Sequence, residues 1–158
     1  MIEFNEDAMR RYETIVKHYP EKRAAVLPVL TLAQHEFGWI SPDVADYVGK
    51  LMGYPASDML SVASFYAMLH LKPAGKYHLE MCRNVSCWLM GAYGCMDEIK
   101  SKLKIDVGQV TADGKFSLAF TECLGSCGTA PAMQVGNRYY ENLTPEKVGE
   151  IIEKLSND

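Results

Sequence analysis

Two close cysteine pairs constrain this chain more than any other feature. The first is Cys82-Arg83-Asn84-Val85-Ser86-Cys87, a C-x4-C loop. The second is Cys123-Leu124-Gly125-Ser126-Cys127, a C-x3-C loop that continues into Gly128-Thr129-Ala130-Pro131. Four thiolates gathered at one place suit a soft metal centre, either a structural zinc or an iron–sulfur cluster. Neither pair has the C-x2-C spacing of zinc ribbons, and the longer loops leave room for a bulkier guest than one tetrahedral ion. Gly125 and Gly128 also allow backbone N–H groups to approach sulfur, which favours a guest with net negative charge. Any fold for this chain must therefore hold two distant loops against each other.

A chain of 158 residues with a 48% apolar fraction supports one ordinary domain, or a small domain plus an accessory bundle. Its net charge of −4, with mixed signs, argues against nucleic acid as a partner. No apolar run reaches bilayer-spanning length, and the acidic start lacks the pattern of a secretory signal. Five cysteines in such a chain point to a metal in a reducing compartment and to a cytoplasmic location, not to a disulfide framework.

The first half reads as helical. Met9, Tyr12, Val16 and Tyr19 recur at helical spacing over residues 5–19. From Glu21 a second helix is expected, kinked at Pro28 and stopped at Gly38. Ser41-Pro42-Asp43 supplies an N-cap, a first-turn proline and a first-turn acid for a third helix to Met52. Pro55-Ala56-Ser57-Asp58 opens a fourth, with Leu60, Ala63 and Ala67 on one face. Lys72-Pro73-Ala74-Gly75-Lys76 is the natural linker, which divides the chain into residues 1–72 and 73–158.

The second half changes period. Residues 77–81 alternate like a strand and lead directly into Cys82. A helix is expected over residues 88–104, with Leu89, Ala92, Met96, Ile99 and Leu103 on one stripe and Cys87 just before its N-terminus. Asp113-Gly114 signals a turn, residues 116–121 a strand delivering Cys123, and residues 132–135 and 138–140 a hairpin about Gly136-Asn137. Thr144-Pro145 caps a last helix to Leu155. Both cysteine loops thus follow strands and belong at one sheet end.

The other chemistry-bearing residues have plainer readings. His70 and His78 lack the interleaved spacing of a Rieske centre and are expected at the surface; His18 and His35 are solvent or packing residues. Cys95 lies too far along its helix to join either loop and reads as a buried thiol. Phe65-Tyr66, with Met59, Leu60 and Val62, suits either core or a contact surface. No G-x-G-x-x-G loop follows a strand, and no Walker loop or Ser/His/Asp arrangement is present.

The sequence resembles the thioredoxin-like two-iron ferredoxin subunit (the E subunit, 24-kDa type) of NADH–quinone oxidoreductase, complex I. The resemblance runs from about Tyr19 to Leu155. It rests on Cys82-x4-Cys87 with Leu89-Met90-Gly91, on Cys123-Leu124-Gly125-x-Cys127-x-x-Ala130-Pro131, and on Val62-Ala63-Ser64-Phe65-Tyr66. Gly38-Trp39-Ile40 and Val110-Thr111-x-Asp113-Gly114-x-Phe116 add to it. Trp88 departs from the pattern, standing where many relatives carry a polar or basic residue. The resemblance implies an α+β fold, an N-terminal helical bundle followed by a thioredoxin-like α/β domain. It implies one [2Fe-2S] cluster on Cys82, Cys87, Cys123 and Cys127, and four anionic ligands are expected to keep its potential low. It also implies a partner subunit that binds FMN and NADH, docking partly through the helical half, on the cytoplasmic side of the membrane. Related modules serve NAD-linked hydrogenases and formate dehydrogenases. A zinc-stabilised interaction module is the rival from another class, whereas a dithiol enzyme would require a C-x2-C that is absent.

Overall fold

A computed structural model describes residues 2–158, and the chain divides into two compact units after Pro73. In the first unit, helix α1 (Glu6–Lys17) starts where Asn5 accepts the Ala8 N–H at 2.8 Å, with Glu6 and Asp7 against the positive helix end. Helix α2 (Val26–Phe37) follows a single 3₁₀ turn, Lys22–Ala25. The helix expected from Glu21 with a kink at Pro28 is instead a 3₁₀ turn followed by an α-helix that starts two residues before the proline. Pro28 is the third residue of α2, in the first turn, where backbone N–H groups have no helical partner to lose.

Helix α3 (Pro42–Met52) is capped by Ser41, whose hydroxyl accepts the Val44 N–H at 3.1 Å. Helix α4 (Ala56–Phe65) buries Met59 and Ala63, four residues apart. Ala67 lies beyond the helix end and is exposed, so the stripe is shorter than its spacing suggests. Val29, Leu30, Ile40, Val48 and Met59 form the centre of the bundle. Phe4 closes one end, stacked on Phe37 at 5.6 Å and edge-on to Tyr47 at 5.3 Å.

The second unit is built on a four-stranded sheet of order β2-β1-β3-β4. Strand β1 (Tyr77–Cys82) pairs in parallel with β2 (Phe116–Thr121) and antiparallel with β3 (Met133–Val135), which forms a hairpin with β4 (Arg138–Tyr140). Leu79 and Met81 of β1, with Leu118 and Met133, pack in one core with Met96 and Ile99 of helix α6 (Ala92–Leu103) and Val148 and Ile152 of helix α7 (Pro145–Ser156). Buried Ser117 accepts the Gly75 N–H at 2.9 Å and is bonded to His78 Nδ1 at 2.7 Å.

The helix expected over residues 88–104 is two helices. A five-residue α5 (Val85–Leu89), capped by Asn84, precedes α6, and Gly91 between them takes φ +96. That backbone conformation turns the chain and swings Leu89 out of the buried stripe.

Glu80, half-buried on β1, has its pKa raised from 4.5 by burial. The folded state therefore binds more protons than the unfolded chain above pH 4.5, and the carboxylate costs stability as pH rises through the folded pKa. Glu80→Gln should raise the thermal midpoint at neutral pH. The gain should vanish as pH falls to the ordinary glutamate range, as a series of melting curves would register.

Candidate metal centre

Parallel pairing of β1 and β2 brings both cysteine loops to one end of the sheet. Cys82 is the last residue of β1, in register with Thr121 at the end of β2, and Cys123 lies two residues further on. The alignment is pinned by the Arg83 N–H to the Thr121 carbonyl at 3.2 Å and the Cys82 N–H to the Ala132 carbonyl at 3.1 Å. Cys87 does not precede a helix. It is the third residue of α5, because Asn84 accepts the Val85 N–H and starts the turn early.

The second loop is braced at its far side. The Asn142 N–H donates to the Thr129 carbonyl at 2.7 Å, and the Leu143 N–H to the Pro131 carbonyl at 3.2 Å, beside a cis Ala130–Pro131 bond. The Thr129 hydroxyl donates to Glu141 at 2.5 Å, and this bond, with one from Ser126, holds the Glu141 carboxyl below its usual pKa.

The four thiols form a chain of neighbours across the two loops. Burial above all pushes the Cys87 thiol up to about 11; a side-chain hydrogen bond with Cys82 and the charges of Cys82 and Cys127 add to this, and a backbone bond with Ala132 opposes it. Cys127 Sγ lies 3.9 Å from Cys123 Sγ, and the Gly125 N–H points at Cys123 Sγ from 3.4 Å. Cys82 and Cys87 are buried, whereas Cys123 and Cys127 are exposed.

Among the described residues, no three His, Cys, Asp or Glu side chains converge closely enough to hold one ion. One tetrahedral zinc requires all four sulfurs about 2.3 Å from a single point. A two-iron centre requires only a pair on each iron. Of the two cysteine pairs, Cys123 and Cys127 stand 3.9 Å apart, sulfur to sulfur, as one such pair does.

Gly125, at φ +77, is needed for the N–H that faces Cys123, whereas Gly128 has ordinary φ and open space at its Cβ position. Gly125→Ala therefore imposes a left-handed strain of about 1–2 kcal/mol and re-aims the donor, while Gly128→Ala does neither. The expected outcome is faster loss of any metal centre to a chelator in the first variant and an unchanged rate in the second.

The remaining sequence readings sort clearly. Cys95 is a buried thiol in α6, its pKa raised by burial. His18 and His35 are exposed, but His70 and His78 are half-buried instead of lying at the surface. Burial lowers the pKa of His70. Met59 is core, whereas Phe65 is 81% exposed and rests edge-on against Tyr66 at 5.1 Å. On the other unit Val85, within the first cysteine loop, and Trp88, Leu89, Met90 and Tyr93, immediately after it, are all exposed. That apolar patch was unforeseen; the Asn84 cap is the signal that would have started the helix early and turned these side chains outward. The ion pair between Arg83 and Glu122, at 2.6 Å, was also unforeseen, since nothing local links the two positions.

Comparison with known proteins bears on the same residues. The family model described as "Thioredoxin-like [2Fe-2S] ferredoxin" matches residues 12–156. A protein of Rickettsia bellii, named as the E subunit of NADH-quinone oxidoreductase, is 44% identical over 98% of this chain and 95% of its own length. A protein of Rhizobium meliloti, likewise named as an E subunit of NADH-quinone oxidoreductase, is 37% identical over 90% of this chain and 85% of its own. Among solved structures, a chain of an NAD+-reducing [NiFe]-hydrogenase in the air-oxidized state superposes with a TM-score of 0.72 at 21% identity. That match covers 81% of this chain and 22% of the hydrogenase chain. It establishes likeness of fold.

Proposed function

The chain belongs to the thioredoxin-like [2Fe-2S] ferredoxin family, and from that premise we propose that it is the electron-transfer subunit of the NADH dehydrogenase module of an NADH–quinone oxidoreductase. It exchanges electrons with FMN on a partner subunit that also binds NADH, and it has no complete active site of its own. The observation that carries this reading is the meeting of two cysteine pairs at one sheet end, in a chain that its NADH-quinone oxidoreductase relatives match from end to end.

Cys82, Cys87, Cys123 and Cys127 are the ligands. The donor set fits a two-iron centre: four thiols, paired, with a backbone N–H already directed at one sulfur. A [2Fe-2S] cluster, when bound, takes up and releases one electron. The protein holds one pair of thiols in the core and the other at the surface, where a partner can approach. Gly125 N–H offers positive charge to Cys123, and the exposed side chains of residues 85–93 surround the same end with apolar surface suited to contact with another protein.

Phe65, Tyr66, Met68 and Leu71 give the helical unit a second exposed apolar surface, in keeping with docking through that half. No helix among the described residues is long and apolar enough to cross a membrane. The chain works as a peripheral subunit on the cytoplasmic side. Service in an NAD-linked hydrogenase is a second reading, favoured by the superposition at TM-score 0.72. The NADH-quinone oxidoreductase relatives, matched over nearly their full length, favour the quinone-linked enzyme.

The test is the visible spectrum, reduced-state EPR, and iron, zinc and acid-labile sulfide content of anaerobically purified protein. About two irons and two sulfides per chain are expected. Stoichiometric zinc without sulfide would overturn the reading. Co-purification from the native cell separates a quinone-linked from a hydrogenase-linked partner. NADH-driven reduction should appear only when an FMN subunit is added.

A further inference from the structure

We propose that the Arg83–Glu122 ion pair is a positioning staple that sets the spacing between the two cysteine loops. Arg83 directly follows Cys82, and Glu122 directly precedes Cys123. The parallel register pairs Cys82 with Thr121, so Arg83 and Glu122 occupy the next rung. The main-chain ladder ends there, its last link being the Arg83 N–H to the Thr121 carbonyl at 3.2 Å. Side chains supply the following one: Arg83 Nη2 donates to Glu122 Oε1 at 2.6 Å. Among the described residues it is the only ion pair joining positions that flank the cysteines.

The loop from Cys123 to Cys127 has two ends, and they are held differently. Its far end is secured through Thr129, Glu141 and Asn142. At its near end Glu122 and Cys123 are exposed; Leu124 packs on the core, and the guanidinium of Arg83 is the polar side-chain anchor. The staple therefore governs Cys123 more than Cys127. It positions the thiol and does not itself touch the centre. Its side chains are 53% and 67% exposed, so water and salt screen it and the expected effects are modest.

The inference rests on the four-cysteine reading above. The test uses the full-length chain, purified anaerobically, as wild type, Arg83→Glu, Glu122→Arg and the charge swap carrying both. The rate of visible-absorbance loss to an iron chelator should rise roughly two- to five-fold in each single variant. It should return to within about two-fold of wild type in the swap, and the differences should shrink in 1 M salt as screening shortens to about 3 Å. Reduced-state EPR g values should move in the singles and return in the swap.

Neutral variants guard against misfolding: Arg83→Gln and Glu122→Gln should be non-additive, the double no worse than either single. Additive losses, or a swap no better than the worse single, would overturn the staple. So would a lowered thermal midpoint with unchanged release rate and g values, which would assign the pair to general stability. Zinc without labile sulfide in wild-type protein would overturn the cluster reading instead, and zinc transfer from the same variants to a chromogenic zinc chelator would then read the staple.

Discussion

Cys123→Ser should yield a protein that is folded and colourless. Serine removes a soft thiolate and presents a hard hydroxyl that stays protonated at neutral pH, so one iron loses half of its protein ligands. The side chain is exposed and lies on a loop beyond the end of β2, so the substitution leaves the core of the second unit untouched. Stability should change by about 0.5 kcal/mol or less apart from the lost metal, while absorbance and labile sulfide fall close to zero. Cys82→Ser, Cys87→Ser and Cys127→Ser should do the same to the centre. The first two also bury a hydroxyl in place of a thiol, at a further cost of about 1–3 kcal/mol if it finds no partner.

Cys95→Ala is the control. Its thiol is packed with Ala92, Met96 and Ile99 in α6, and alanine avoids a buried hydroxyl, so colour should persist. If Cys95→Ala bleaches the protein as fully as Cys123→Ser, the proposed ligand set is wrong.

Trp88→Glu and Phe65→Glu should each abolish stable association with the proposed FMN-binding partner while leaving iron and sulfide content intact. Both side chains are large and apolar yet 58% and 81% exposed, an arrangement that a free surface does not reward. Aromatic residues of this kind dominate interface energies. Truncating one costs about 2–4 kcal/mol, or roughly 30- to 1000-fold in affinity, and a buried carboxylate costs more. The two substitutions test the two units separately, since Trp88 lies beside the cysteine loop and Phe65 ends α4 in the helical unit. Pull-down of the FMN subunit and NADH-driven EPR reduction are the measurements. If both variants bind and reduce like wild type, these patches serve some other contact.

Much of this was legible because its causes are local. Ser41-Pro42-Asp43 and Thr144-Pro145 cap helices through their own side chains, and the alternation at residues 77–81 reports a half-buried strand from within a few residues. The placement of both cysteine loops at one sheet end followed from each coming after a strand. Features that depend on chain geometry were harder to read. A helical stripe through Leu89 and Ala92 looks continuous until Gly91 takes a left-handed conformation, which a periodicity cannot register. Pro28 reads as a kink until the start of α2 is located, since its effect depends on its distance from the helix end. Phe65 reads as core or contact alike, because exposure of an aromatic at a helix end depends on what the following residues cover. Arg83 and Glu122 meet only after the strands pair, 39 residues apart in sequence.

The parallel pairing of β1 with β2 has a practical corollary. A parallel connection must carry the chain back to where the first strand began. The segment between α6 and β2 therefore turns at the end of the sheet opposite the cysteines, with Asp113-Gly114 at its exposed tip. The six residues of β2 separate that tip from Cys123 by about 20 Å. An affinity handle or fluorophore inserted between Asp113 and Gly114 would sit remote from the cysteine loops and from the apolar patch beside them. It would allow the protein to be immobilised or tracked while that end remains open to a partner.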